Sequence, residues 1–197
     1  MNLIQKSQAV SALFEALDVE TAAYHNRAAL SCIIGCGKCC ANPSVPATAL
    51  EFLPMAMAAY HSGKAEELLD SIGENPEQSY CILLTTLSVD GSAGSCSQYK
   101  TRGLICRLFG SSAKKNKFGV KELITCKTLK EERAEEHLLT QKAISEGLAV
   151  PMSSHYYTQL YAIDPSMAGM QLPVNLAIKR ALEEVLAFYF YSEGQAG

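Results

Sequence analysis

Cys32-Ile33-Ile34-Gly35-Cys36-Gly37-Lys38-Cys39-Cys40 places four of the chain's eight cysteines within nine residues. The others are Cys81, Cys96, Cys106 and Cys126, so the first 31 and the last 71 residues contain none. This clustering predicts a sulfur-built centre in the middle of the chain. Gly35 and Gly37 allow a tight turn whose N–H groups face a bound sulfur or anion, and Asn42-Pro43-Ser44-Val45-Pro46 closes the loop. Cys32-x3-Cys36-x2-Cys39 lets three thiolates converge from one loop, and thiolates suit zinc and iron–sulfur clusters. Adjacent side chains tend to diverge, so Cys39 and Cys40 are not both expected on one small tetrahedral ion. Structural zinc sites usually pair two Cys-x2-4-Cys knuckles. Here the later cysteines are separated by 14, 9 and 19 residues, so the other ligands must come from a segment folded back over the loop.

Outward from the loop the pattern is helical. Leu3, Ile4, Ala9, Val10, Leu13, Phe14, Leu17, Ala23 and Leu30 recur at helical spacing across residues 2–30, with a possible break at Asp18-Val19-Glu20-Thr21. Downstream, a helix is expected from Pro46 to about His61, with Pro54 kinking or restarting it, and a short one over 64–72. Residues 73–78 read as a turn-rich joint. Cys81-Ile82-Leu83-Leu84 reads as a short strand, with Thr85–Val89 as its extension or partner and a flexible turn over 90–95. A helix begins within 97–108, and residues 111–117 read as an exposed, small and basic loop. Residues 128–146 place Leu129, Ala134, Leu138, Leu139 and Ile144 on one helical face, and residues 150–163 are rich in tyrosine. The last helix, 173–191, carries the stripe Val174, Ala177, Ile178, Ala181, Leu182, Val185, Leu186 and Tyr189. The expected fold is mainly α, with helices surrounding an irregular cysteine-rich metal-binding centre. A chain of 197 residues fits a single domain, with a cysteine-cluster core at about 30–127 and a helical part at about 128–192.

A hydrophobic content of 48% and a net charge of -3 describe a globular chain with no obvious polyanionic partner. Lys100, Arg102, Arg107, Lys114, Lys115, Lys117, Lys121, Lys127 and Lys130 nevertheless crowd residues 100–130 against one acid, Glu122. The N-terminus lacks the pattern of a secretory signal and no apolar run reaches bilayer-spanning length. The expected location is cytoplasmic, where clustered cysteines read as ligands before disulfides. No membrane partner is expected, and nucleic acid is disfavoured because only Phe118 interleaves the basic loop.

The cysteine pattern resembles the signature of the YkgJ-type cysteine-cluster family, a zinc- or iron-chelating domain. Beyond Cys32-x3-Cys36-x2-Cys39-Cys40, the family has a Cys-Pro-Phe-Leu-like element, matched by Cys81-Ile82-Leu83-Leu84. It then has Cys-x-Ile-Tyr-x-x-Arg-Pro-x-x-Cys-Arg. Residues Cys96 to Arg107 match this with every Cys, Tyr and Arg in register: Cys96, Tyr99, Arg102, Cys106 and Arg107. The likeness covers roughly residues 30–127. Ile82 and Gly103 replace prolines, Gln98 replaces an apolar residue, and Leu108-Phe109-Gly110 departs from the usual Phe-Pro ending. The resemblance implies a metal- or cluster-binding domain.

The candidate metal ligands are Cys32, Cys36, Cys39, Cys40, Cys81, Cys96, Cys106 and Cys126. Arg102 and Arg107 are candidate cofactor-binding residues, since guanidinium groups beside Cys106 would offset thiolate charge. Any of His25, His61, His137 and His155 is a conceivable further ligand. An iron–sulfur cluster is favoured over zinc: the three-cysteine loop resembles that of a cluster binder, the later spacings do not resemble zinc knuckles, and the flanking arginines suit a cluster's negative charge. The expected function is metal or cluster binding in a structural, redox or sensing role, with any small-molecule or protein partner unspecified. One alternative is a group-transfer or redox enzyme with an open coordination position and a pocket lined by Tyr156, Tyr157 or Tyr161. Another is a zinc-stabilised interaction module acting through the basic loop at 111–121.

Overall fold

A computed structural model describes residues 1–33, 35–42, 44–74, 80–89 and 93–193. The chain is mainly helical. In chain order the elements are α1 (Leu3–His25), β1 (Pro46–Ala47), α2 (Leu53–His61), α3 (Ala65–Glu74), β2 (Leu84–Thr86), β3 (Gly94–Cys96) and α4 (Leu104–Leu108). There follow β4 (Ser112–Lys115), β5 (Lys121–Ile124), α5 (Lys127–Glu132), α6 (Ala134–Ser145), α7 (Ser153–Ile163), α8 (Pro165–Ala168), β6 (Leu172–Pro173) and α9 (Val174–Glu193). Short 3-10 turns cover Leu50–Phe52 and Tyr99–Thr101. The chain divides into two compact units. The first comprises Met1–Ser11, Gly35–Gly103 and Leu160–Gly197, and the second Ala12–Ile34 and Leu104–Gln159.

Helix α1 starts on a reciprocal cap. The Gln5 N–H donates to Asn2 Oδ1 at 2.9 Å, and the Asn2 N–H donates to Gln5 Oε1 at 3.0 Å. With no Gly or Pro inside, the helix runs unbroken through residues 18–21, where a break was possible, and ends at His25.

In the first unit α9 packs on α2 and α3. Its stripe holds as core at Val174, Ala177, Ile178, Ala181, Leu182 and Val185, against Leu53, Met55 and Ala56 of α2. Burying such aliphatic side chains stabilises by roughly 1.5–3 kcal/mol each. The helix expected from Pro46 starts later. Pro46 instead pairs with Pro173 in the antiparallel β1–β6 ladder, as proline's missing N–H permits at an edge. Just ahead of the 3-10 turn, the Thr48 N–H donates to the buried Glu51 carboxylate at 2.7 Å and its hydroxyl donates to the same oxygen at 3.1 Å. Pro54 occupies the first turn of α2, so the helix restarts there as expected. The strand anticipated at residues 81–84 begins only at Leu84 and extends through Thr85 and Thr86, and it pairs with β3. The joint at 75–78 and the turn at 90–92 lie outside the described residues.

In the second unit β4 and β5 form an antiparallel hairpin where an exposed loop was expected, and Ser112 and Ala113 are buried in it. The helix expected over 128–146 is two helices, α5 and α6, broken at Arg133 with φ -131° and ψ 47°. Leu138 and Leu139 point to solvent, while Thr140 and Ile144 are buried, and the Thr140 hydroxyl accepts the Leu30 N–H at 3.0 Å. The core of this unit is Tyr24, Leu30, Ala113, Leu123, Leu129, Ile144, Leu148 and Val150.

Candidate metal centre

Five cysteines belong to the first unit: Cys36, Cys39, Cys40, Cys81 and Cys96. Cys32, Cys106 and Cys126 belong to the second. None of the eight forms a disulfide.

Backbone pairing assembles the first group. Cys36 bridges Ala93 in antiparallel fashion, and the Gly94 N–H donates to the Gly35 carbonyl at 2.9 Å. Cys40 and Ala41 both donate to the Gly37 carbonyl, curling residues 37–41 into a turn. The Cys81 N–H donates to the Cys40 carbonyl at 2.7 Å. Cys96 lies opposite Leu84 in the β2–β3 ribbon. That ribbon closes tightly: a Cβ on Gly94 would sit 2.6 Å from the Thr85 carbonyl oxygen, so only glycine fits without displacing backbone. The loop of residues 35–41 is therefore stitched to both arms of the ribbon that carries Cys81 and Cys96.

Asn175, at the start of α9, holds the other side of Cys81. Its Oδ1 accepts the Ile82 N–H at 2.9 Å, and its Nδ2 donates to the Tyr80 carbonyl at 2.9 Å. The sequence carries no signal for this role, because an asparagine ahead of an apolar helical stripe reads as an ordinary helix start.

The thiols lie within one another's fields. A hydrogen bond from Cys40 lowers the Cys39 pKa to about 6, helped by backbone N–H groups and the Arg102 guanidinium and opposed by burial. The side chains of Cys39 and Cys40, expected to diverge, meet because the turn curls the backbone rather than extending it. Burial pushes the Cys81 thiol up to about 11, and the charges of Cys96 and Cys39 add to this. Cys96 is raised by burial and by Cys39, with the Gln98 N–H and Arg102 opposing. Cys39, Cys40, Cys81, Cys96 and Arg102 thus form one electrostatic group. The Arg102 guanidinium stacks 3.7 Å from the Tyr99 ring centroid and donates to the Tyr99 carbonyl at 2.9 Å.

Gly103, which stands where the family signature has proline, has its own packing reason. A Cβ there would lie 2.7 Å from Phe52 Cζ and 3.0 Å from Glu51 Oε2.

In the second unit Cys32 is exposed, as is Cys106 on α4. Cys126 caps α5, accepting the Leu129 N–H at 3.3 Å, and packs against the core. The buried Arg107 guanidinium donates to both Asp18 carboxylate oxygens at 2.6 Å and lies 4.5 Å from the Phe14 ring centroid. Tyr156 is buried and donates to Glu20 at 2.5 Å. Among the histidines, His25 meets Ser111 at 3.0 Å, His61 meets Tyr189 at 3.3 Å and His155 meets Gln159 at 2.6 Å.

Among the described residues no group of three or more His, Cys, Asp or Glu side chains is disposed as a metal site. The donor chemistry nevertheless fits a thiophilic metal. The group supplies several sulfurs, one of them with a lowered pKa, and a cation beside them to offset thiolate charge.

Taken together, this is a mainly helical protein with a cysteine-rich segment suited to soft-metal chelation. Residues 31–137 match the family "CxxCxxCC: Putative zinc- or iron-chelating domain". The match covers more than half of the chain, and the chain belongs to that family. No curated protein and no solved structure matches it.

Proposed function

We propose that the chain binds an iron–sulfur cluster through a centre built on Cys39, Cys40, Cys81 and Cys96, with Cys36 in the same loop. The observation that carries this reading is the backbone pairing that brings residues 35–41 against Cys81 and against the strand of Cys96 in one compact unit. A cluster has several corners to ligate, so it accommodates two adjacent cysteines more readily than a single zinc ion does. Arg102 would offset the negative charge of a cluster and its thiolates. The proposal extends to Cys32, Cys106 and Cys126 as metal-binding residues of the second unit in their own right, with Arg107 next to Cys106 as a cofactor-side cation. The centre would serve a structural, redox or sensing role in the cytoplasm.

Anaerobic purification with metal analysis, sulfide analysis and a visible spectrum tests the proposal. Iron with acid-labile sulfide and a broad visible absorption, lost in Cys81→Ser, is the expected result. A colourless protein with stoichiometric zinc and no iron overturns the cluster reading in favour of zinc. Full metal retention by both Cys36→Ser and Cys81→Ser overturns the site itself.

A further inference from the structure

The β4–β5 hairpin displays a chemistry that the thiol centre does not use. Its tip is internally braced. Asn116 Oδ1 accepts the N–H groups of Phe118 and Val120 at 2.9 and 3.0 Å, and Asn116 Nδ2 donates to Glu122 Oε1 at 2.8 Å. The Asn116 N–H donates to the Val120 carbonyl, and the Gly119 N–H to the Asn116 carbonyl, each at 2.9 Å. Its base is tied down as well. The Ala113 N–H donates to the Pro151 carbonyl at 2.9 Å, and Gln141 bonds the backbone of Lys121 and Leu123 at 2.7 and 3.1 Å.

This braced tip exposes 78% of Phe118 and 50% of Val120. Residues 114–122 carry four lysines against one glutamate, in a chain whose net charge is -3. Lys115 lies directly opposite Lys121 in the ladder. Like charges at such a pair destabilise a hairpin, and a partner's negative charge would relieve them. Lys117 lies 4.9 Å from the Phe118 ring centroid.

We propose that this tip docks on an anionic phospholipid surface, with Phe118 and Val120 entering the interface and the lysines meeting headgroups. The disposition of charge selects this partner. Lys115 and Lys121 share one face of the ladder and Lys117 sits at the tip, whereas Lys114, on the other face, lies opposite Glu122. Cations beside an exposed apolar end match a charged plane approached end-on. The Asn116 amide, the uncharged polar group best placed to read a base edge, is spent inside the turn. That no helix among the described residues is long and apolar enough to cross a membrane has no bearing on a surface contact of this kind.

Flotation of the full-length, metal-bound protein tests the proposal, using phosphatidylcholine vesicles with and without about a third phosphatidylserine. Binding is expected only with phosphatidylserine and is expected to fall with salt. The double variant K115Q/K121Q is expected to bind roughly 25-fold more weakly, at about fivefold per lysine. F118S is expected to weaken binding about tenfold while leaving its salt dependence intact. Both changes lie on exposed positions, and unchanged circular dichroism confirms the fold. No binding by the native protein, equal binding to neutral vesicles, or binding unaffected by K115Q/K121Q each overturns the proposal. Displacement from vesicles by a single-stranded oligonucleotide that binds more tightly also overturns it, in favour of nucleic acid.

Discussion

Replacing Asn175 with alanine removes the clamp on the backbone around Cys81 without touching a cysteine. Two hydrogen bonds of 2.9 Å are lost, each worth about 1 kcal/mol net. The exposed Tyr80 carbonyl regains water, whereas the half-buried Ile82 N–H does so less well. Alanine's better helix propensity returns about 0.5 kcal/mol. The balance is a loss of about 1.5 kcal/mol, a fall in melting temperature of about 3–6 °C for a chain of this size. Because the clamp orients a proposed ligand, chelator-driven metal release should also accelerate, by about 10-fold or more. Leu176→Ala is the control. It lies one residue along the same helix, is 47% exposed, and should cost less than about 0.5 kcal/mol. The assay is thermal unfolding by far-ultraviolet circular dichroism, with metal release followed in parallel. If N175A melts with L176A and releases metal at the native rate, the clamp has no role at Cys81.

Asp164 supplies a pH test. Burial opposes its ionisation, but hydrogen bonds from Lys6, the Ser166 hydroxyl and the N–H groups of Met167 and Ser166 prevail and hold its pKa well below the usual carboxylate value. A depressed folded pKa contributes stability that is complete above the unfolded value, about 3.9, and is lost as pH falls through the folded one. Asp164→Asn keeps the helix cap but not the charge, so it should cost about 1–3 kcal/mol at neutral pH. In urea titrations the gap to the native protein should close as pH drops below about 4, and a pH-independent gap would exclude the charge as its cause. Gly103→Ala should cost about 1–3 kcal/mol through the clash with Phe52, and a neutral result in denaturant unfolding would show that Phe52 gives way. Gly103→Pro, although it restores the family residue, should be at least as damaging by the same measure. Cys39→Ser should abolish metal retention after gel filtration under anaerobic conditions, and a native metal content would exclude Cys39 as a ligand.

Periodicity made the ends of the fold readable. The stripe of α9 and the run of α1 depend on local spacing, and burial follows that spacing. Prediction failed where a local signal competed with a distant partner. Pro46 looks like a helix start, but it is captured by Pro173, more than a hundred residues away. Residues 111–117 look like a solvated loop because their lysines dominate the local reading. Their pairing with 121–124 is set by Asn116 and Gly119 and by backbone bonds to Pro151. Leu138 and Leu139 were misassigned because, six and five residues before the buried Ile144 on α6, they lie off its helical face.

The cysteines divide along the same line. Their number, clustering and agreement with a two-part signature suffice, without coordinates, to place the chain in a zinc- or iron-chelating family, because ligand chemistry resides in residue type and spacing. Tertiary structure alone decides which sulfurs share a field. It groups Cys39 and Cys40 with Cys81 and Cys96 in one unit and assigns Cys32, Cys106 and Cys126 to the other. It also gives Asn175 its place beside Cys81 and pairs Arg107 with Asp18. The physical reason is range. Ligand type is a property of each side chain, whereas a thiol's neighbours, burial and ionisation depend on backbone pairings between residues tens of positions apart.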